Sequence, residues 1–190
     1  MIRTVVTALA LSLTAPLAAQ TPAVATDNAE MAAMFAADQA ERQGDIDWIA
    51  VSRNDAERRK RTRALLDHGM LSTADDYYAA AFIFQHGGEP EHYLLAHVLA
   101  VHAIALGHDK AEWIAAATLD RYLHSIARDQ VYGTQYSMSS IAPASQGRYD
   151  PEFLPDTVRT ASGVEPLAEQ SKKLQEMEQR RRERWPEASR

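Results

Sequence analysis

The residues of this sequence that could hold a metal or move a proton are mainly its seven histidines. His92, His97 and His102 are spaced five positions apart on one predicted helix, and each step rotates the side chain by about 140°. They therefore point in three directions and cannot bind one metal ion together. A site could also be assembled from separate helices, for example from His86, His97 and Asp120. The sequence contains no ligand spacing, such as His-Glu-x-x-His, that indicates one. The sequence predicts no metal and no cofactor.

Four residues are candidates for acid–base or anion chemistry. His97 lies on an apolar helix, where a histidine is either tied to a Tyr or Asp in the core or does acid–base or ligand work in a cleft. His86 is the other candidate general base. Asp120 can pair with His124 four residues later, as an acid–base couple or as an ordinary helix-surface pair. Arg121 can reach a carboxylate or phosphate, or brace the following turn.

A polar run around Gly133 is the best candidate for one wall of a binding pocket. Glycine permits a tight turn, and so many hydrogen-bonding side chains are unfavourable unless they form a buried network or bind a ligand. Both interpretations stay open. No Gly-x-Ser-x-Gly elbow, phosphate loop or dinucleotide fingerprint accompanies the run. Its polar residues are Gln130, Tyr132, Thr134, Gln135 and Tyr136.

Three predicted helices must position these residues. The central one, 91–106, is apolar on nearly every face and is therefore expected to be enclosed by other helices. Pro90 suits its first turn and Gly107 its end. The preceding helix begins at Ser72 or Thr73, the following one opens on Asp109, and the short links make neighbours antiparallel. The predicted fold is all-α, with antiparallel hairpins packed as in tetratricopeptide or Sel1 repeats around 91–106, and an irregular segment at 130–165.

Composition limits the classes of function. The 190 residues suit one domain plus tails, and 46% hydrophobic with 24% charged residues is typical of a globular protein. The chain has no cysteine, which excludes disulfides, thiolate nucleophiles and zinc–cysteine sites. A net charge of −6 gives no general attraction for nucleic acid. The basic run 58–63 is expected to be a solvated helix face, because its side chains spread round the helix beside acidic residues.

Residues 1–25 are predicted to be a secretory signal peptide. Arg3 precedes an apolar stretch at 5–17 that is shorter than the ~20 residues of a membrane-spanning helix. Cleavage is expected after Ala19 or after Ala25. We therefore expect a periplasmic or secreted protein without stable membrane insertion, made of one helical domain at 27–167 and a charged C-terminal helix or tail at 168–190.

Several short motifs lie between residues 70 and 167, about half of the chain. They include Gln85-His86-Gly87, Ala96-His97, Asp120-Arg121 and a run that ends in Tyr-Gly-Thr-Gln135. Together they resemble a bacterial family of exported proteins that share a domain of unknown function. Members commonly carry a glycine shortly before the last motif, where this chain has Ile126-Ala127-Arg128. The resemblance implies no reaction, but it selects Gln85, His86, His97, Asp120, Arg121, Gln130, Tyr132 and Gln135 as site residues.

Two functions fit these observations. The first is a non-catalytic extracytoplasmic binding or scaffold module for a protein or peptide of the cell envelope, because helical hairpin stacks usually present a groove. The alternative is a metal-independent hydrolase or transferase. In it His86 or His97 is the general base, Asp120 orients it, and Arg121 with the Tyr-Gly-Thr-Gln turn holds an anionic or amide group. An immunity or inhibitor protein is a third, minor hypothesis.

Overall fold

The computed structural model describes residues 25–186, and all regular secondary structure in that range is helical. The all-α prediction is confirmed, whereas the likeness to tetratricopeptide or Sel1 repeats stays a prediction. Nearly all of the predicted signal peptide lies outside the described residues. The elements are α1 (Ala29–Ala40), α2 (Trp48–Asp67), α3 (Ala74–Gln85), α4 (Pro90–Ala105), α5 (Ala111–Ser125), α6 (Asp156–Ala161) and α7 (Leu167–Arg184).

Helices α3, α4 and α5 form the two hairpins at the centre of the fold. The links are only residues 86–89 and 106–110, so each helix runs antiparallel to the next. Ala96, Ala100 and Ala103 of α4 are fully buried. Small side chains at these positions let the neighbouring helix backbones approach closely, and the larger Ile83 and Ile114 fill the space between them.

The structure differs from the sequence expectation on one face of α4. This helix packs against α3 and α5, as predicted, but it is not enclosed on every side. Leu94, Val98 and Val101 are exposed at spacings of four and three residues. The reason is that the contact face is formed by the short alanines together with Leu99, which turns the row of Leu94, Val98 and Val101 outward.

Helix α2 begins at Trp48, four residues before Ser52, although serine is also a common N-cap residue. Asp47 is the N-cap, and its carboxylate accepts hydrogen bonds from the amides of Ile49 and Ala50, both at 3.1 Å. The apolar piece before Ser52 is therefore the first helical turn. This placement brings Trp48 to the end of α2 that faces the link between α3 and α4.

The two other helix starts were predicted with different success. Thr73 caps α3, and Asp76 completes a capping box with it, as a hydroxyl followed by an acid indicates. The expectation that α5 opens on Asp109 is wrong, since Lys110 is its N-cap and no side chain caps it. The Lys110 amide instead donates to His108 Nδ1 at 3.3 Å.

The C-terminal part contains the irregular segment, the short helix α6 within it, and α7. Although helix α7 is highly charged, its residues Gln170 and Arg181 are buried. Gln170 donates to the carbonyls of Tyr132 and Glu165, which ties the start of α7 to the irregular segment. No helix between residues 25 and 186 is long and apolar enough to cross a membrane.

Candidate functional site

Asp120 organises the polar run that follows α5. It is fully buried, and its two carboxylate oxygens accept hydrogen bonds from the amides of Val131, Tyr132 and Thr134 at 2.7, 3.0 and 2.9 Å. The Thr134 hydroxyl donates to the same carboxylate at 2.8 Å. The partial positive charges of these donors compensate the negative charge of the carboxylate. The same hydrogen bonds hold the loop in a fixed conformation around Asp120.

Gln130 and Gln135 close the same loop. The Gln135 amide donates to Gln130 Oε1 at 2.7 Å, and Gln130 Nε2 donates to the carbonyls of Gln135 and Gln146. Gln135 Nε2 donates to the Ala117 carbonyl on α5 and to the Thr134 hydroxyl. We call Asp120, Gln130, Thr134 and Gln135 the loop clamp. All of its polar side-chain atoms have partners inside the protein, so the run forms a buried network.

Glycine is required at the tip of this loop. Gly133 has φ of 78°, and a Cβ there would lie 2.6 Å from Gln146 Nε2 and 2.7 Å from the Tyr149 ring. Just before the loop, Ala127 has φ of 56° and is the one non-glycine residue with positive φ between residues 25 and 186. Ala127 lies within the segment 126–128, in which the family resemblance leads us to expect a glycine.

Arg159 fixes the outer side of the loop. It is fully buried, and it donates to the carbonyls of Tyr132, Pro151 and Leu154. Tyr132 thus takes part through its backbone, with its amide on Asp120 and its carbonyl on Arg159. The structure gives its side chain no hydrogen bond within the described residues.

A second buried polar group lies between α1 and α2. Arg42 contacts Asp38 at 2.8 Å and Asp55 at 2.7 Å, and Arg58 contacts Glu41 at 2.9 Å and Asp55 at 2.7 Å. Asp38 is fully buried, and Arg58 Nε lies 3.6 Å from it. We call these five residues the ionic cluster. Three carboxylates and two guanidinium groups leave it with one net negative charge.

Burial and ion pairing act in opposite directions on the pKa values of the ionic cluster. Burial raises the pKa of Asp55, but hydrogen bonds from Arg42 and Arg58 outweigh it, so the pKa is lowered from its ordinary value of 3.8. The hydrogen bond from Arg58 lowers the pKa of Glu41. Burial lowers the pKa of Arg58, but its bonds to Glu41 and Asp55 raise it overall. The charged forms of all three residues are therefore favoured.

His86 lies at the edge of the ionic cluster. Its Nε2 is 3.5 Å from Asp38 Oδ2, and this nitrogen is buried without a hydrogen-bond partner among the described residues. The side chain keeps 21% of its surface exposed. The backbone is held from the other side, because Arg59 donates to the His86 carbonyl at 2.8 Å. The imidazole therefore lies beside a buried carboxylate while part of its surface stays exposed to solvent.

Arg121 connects the loop clamp with this region. Its Nε donates to Gln135 Oε1 at 3.0 Å and its Nη1 donates to the Gln85 carbonyl at 2.8 Å. The Tyr93 ring lies 5.9 Å from the guanidinium carbon. Burial lowers the pKa of Arg121. The side chain therefore spans from α5 to the end of α3, which is also where His86 lies.

The side chains of His86 and Arg121 line an open cleft of about 440 Å³ between α2, the end of α3 and α4. The structure brings three predicted site residues together there, namely Gln85, His86 and Arg121. Arg42 and Asp55 add charged groups from the ionic cluster, and Gly87 belongs to the link. The apolar lining consists of Ile46, Trp48, Val51 and Tyr93, with Ser52 beside them.

The other predicted site residues do not line the cleft. His97 Nδ1 lies 2.9 Å from the Ala115 carbonyl and so donates a hydrogen bond from α4 to the backbone of α5. Asp120 is buried against the loop amides and forms no hydrogen bond or ion pair with His86, His97 or His124. Gln130, Tyr132 and Gln135 belong to the loop, and of these only Gln135 reaches a cleft residue, through Arg121.

Sequence reasoning missed the residues that α1 and α2 contribute. Asp38 and Arg42 are four residues apart, a spacing typical of a helical ion pair, and Asp47 before Trp48 is an N-cap signal. Neither pattern indicates that the pair meets Asp55, because that contact exists only in the folded chain. In the described part of the chain, no three His, Asp or Glu side chains are placed to bind a metal ion.

The basic run on α2 is divided among several acidic partners. Arg58 is part of the ionic cluster, Arg61 pairs with Glu30, and Arg63 contacts Asp67 at 2.9 Å. A nucleic-acid surface would concentrate these charges on one face.

Comparison of the chain with protein-family models, with curated proteins and with solved structures finds no match.

Proposed function

We propose that this protein is an extracytoplasmic binding module that holds a peptide segment of a partner in the cleft between α2, α3 and α4. The observation that carries the proposal is the composition of the cleft. Its lining combines an apolar wall, formed by Ile46, Trp48 and Val51, with several polar groups, and such a mixture is typical of binding sites. A volume of about 440 Å³ suits a few residues of a peptide.

The exposure of Trp48 indicates that this side chain serves binding rather than the stability of the fold. It is 65% exposed although it is one of the largest side chains of the chain. Aromatic residues at such positions supply much of the binding energy in protein interfaces. The neighbouring Ile49 is even more exposed, at 85%, but it does not line the cleft. The two positions therefore form a matched pair for an experiment.

The experiment is a screen of hexapeptides, immobilised through their amino ends so that their carboxyl groups stay free, against the wild-type protein and the variants Trp48→Ala and Ile49→Ala. We expect the wild type and Ile49→Ala to bind the same peptides, and Trp48→Ala to lose roughly 10-fold or more in affinity. Both variants should unfold within about 0.5 kcal/mol of the wild type, because both side chains are exposed. Equal binding by all three proteins would contradict the use of the cleft, and no binding at all would contradict the function.

A hydrolase or transferase is the second candidate, and the position of His86 favours it. An imidazole 3.5 Å from a buried carboxylate resembles the couple in which an acid orients a general base. The orienting acid in this arrangement is Asp38, whereas the sequence hypothesis assigns that role to Asp120. Turnover of a panel of chromogenic esters and amides that disappears in His86→Gln, with peptide binding retained, is the result expected for an enzyme.

A further inference from the structure

Arg121 is the one cleft cation that has no acidic partner among the described residues. Its two acceptors, the Gln85 carbonyl and Gln135 Oε1, are neutral. No carboxylate between residues 25 and 186 forms an ion pair with it within 4.0 Å. Arg42, which also lines the cleft, contacts both Asp38 and Asp55. A mostly buried guanidinium without a counter-charge gains more from an anionic ligand than one that is already paired.

The guanidinium of Arg121 is held ready for such a ligand. An arginine has five N–H donors, and the described residues accept from two of them. Both hydrogens of Nη2 and one of Nη1 remain, which is the pair of nitrogens that a carboxylate binds side by side. The hydrogen bonds to Gln85 and Gln135 fix the orientation beforehand, so little side-chain entropy is lost when a ligand binds.

We infer that Arg121 binds the free C-terminal carboxylate of a peptide whose last side chain packs against Trp48 and Ile46. This inference rests on the peptide-binding function proposed above and identifies the end of the peptide that the cleft recognises. The apolar wall and the unpaired cation line the same cleft, so a carboxylate next to an apolar group satisfies both. Burial also lowers the pKa of Arg121, and a bound carboxylate would reverse that effect.

The acidic groups of the cleft do not compete for Arg121. Asp55 lines the cleft, but its oxygens accept hydrogen bonds from Arg42 and Arg58 at 2.7 to 2.9 Å. Asp38 is fully buried behind His86. The ionic cluster beside the cleft keeps one net negative charge, and this charge repels a dianionic phosphate more strongly than a singly charged carboxylate.

The test compares two acetylated tetrapeptides of one sequence ending in phenylalanine, one with a free carboxyl group and one with a carboxamide. Isothermal titration calorimetry should show that wild type binds the free acid roughly 10-fold or more tightly than the amide. The difference should disappear in Arg121→Gln. Acetyl-phenylalanine alone should bind at least roughly 10-fold more weakly than the tetrapeptide, because it lacks the peptide backbone.

Each other outcome overturns a defined part of this inference. Equal binding of acid and amide by the wild type excludes carboxylate recognition and leaves the peptide-binding function standing. Acetyl-phenylalanine binding as tightly as the tetrapeptide would make the ligand a small carboxylic acid. If no tetrapeptide binds but immobilised hexapeptides do, the carboxyl end is not the recognised group. If neither binds, the proposed function fails as well. The wild-type comparison of acid with amide stays decisive even if Arg121→Gln does not fold.

Discussion

The loop clamp and the ionic cluster both bury charge between helices, but they use their hydrogen-bonding groups to different extents. In the loop clamp, Asp120 is neutralised by backbone amides and one hydroxyl, and the polar atoms of Gln130 and Gln135 all have partners. In the ionic cluster the charges pair with one another, and Arg58 Nε has no hydrogen-bond partner among the described residues. The same is true of Nε2 of His86 beside it. The first network is closed and structural, whereas the second borders a cleft.

The difference teaches that polar residues with a suggestive pattern need not be the ones that line a cleft. The Tyr-Gly-Thr-Gln turn concentrates hydrogen-bonding groups, yet these groups are used to fold the chain between α5 and α7. The cleft is built from less conspicuous residues, including Trp48 and Arg42, and the loop contributes to it only through the contact between Gln135 and Arg121.

The largest predicted effect is the loss of the carboxylate at the centre of the loop clamp. Asp120→Ala leaves three buried amides and a hydroxyl without their acceptor, so we expect the free energy of unfolding to fall by about 3 kcal/mol or more. Urea denaturation measures it. Asp129→Ala is the matched control on the same segment, because its pair with Arg148 is exposed and contributes less than about 1 kcal/mol. Similar losses in both variants would contradict a structural role specific to Asp120.

The next effect concerns the link that forms one edge of the cleft. A Cβ at Gly87 would lie 2.3 Å from His92 Cβ, so either α4 or the link must shift. We expect Gly87→Ala to lower stability by about 2 kcal/mol, as overpacking does. At the adjacent Gly88 nothing lies within 4 Å, and Gly88→Ala should change stability by less than about 0.5 kcal/mol. The measurement is thermal unfolding of the two variants in parallel. Equal changes in melting temperature would disprove the close approach of Gly87 to His92.

Acid should weaken the ionic cluster. The pKa of Asp55 is lowered in the folded protein, so its ion pairs stabilise the fold above the ordinary value of 3.8 and this contribution is lost as the pH falls through the lowered pKa. The lowered pKa of Glu41 acts in the same direction from its ordinary value of 4.5. Asp55→Asn should be less stable than wild type at pH 7 and lose less stability between pH 5 and pH 3. Parallel pH profiles would show that the charges of the cluster do not stabilise the fold.

The smallest effect is a gain of stability at the entrance to the loop. Ala127 has φ of 56°, a conformation that disfavours a Cβ, so Ala127→Gly should stabilise the protein by about 0.5 kcal/mol. The same substitution at Ala105, an exposed residue in α4, should destabilise it by up to about 1 kcal/mol. Opposite signs for the two variants in urea denaturation are the expected result, and equal signs would argue against the positive φ.

The sequence predicts the helices more completely than the site. Pro90 and Gly107 mark the ends of α4 because their backbone preferences are local, and Thr73 marks α3 for the same reason. The start of α2 is harder to predict because two residues that commonly cap helices, Asp47 and Ser52, lie within a few positions of each other. Capping residues can be recognised from the local sequence alone, because their effect does not depend on which helices pack together.

The site depends on contacts between residues that are distant in the sequence. Gln85, His86 and Arg121 were predicted and do line one cleft, because α3 and α5 both flank α4. The contact of His86 with Asp38 joins residues 48 positions apart, and no local pattern indicates it. The packing of α1 on α3 creates this contact.

The most direct test of the contrast between a structural loop clamp and a ligand-binding cleft is a nuclear magnetic resonance titration with a peptide from the screen. We predict shifts of the His86 ring and Arg121 side-chain signals, while the amide signals of Val131, Tyr132 and Thr134 stay in place. Shifts of those three amides with no change at His86 and Arg121 would show that the loop binds the ligand, and would contradict this assignment of roles.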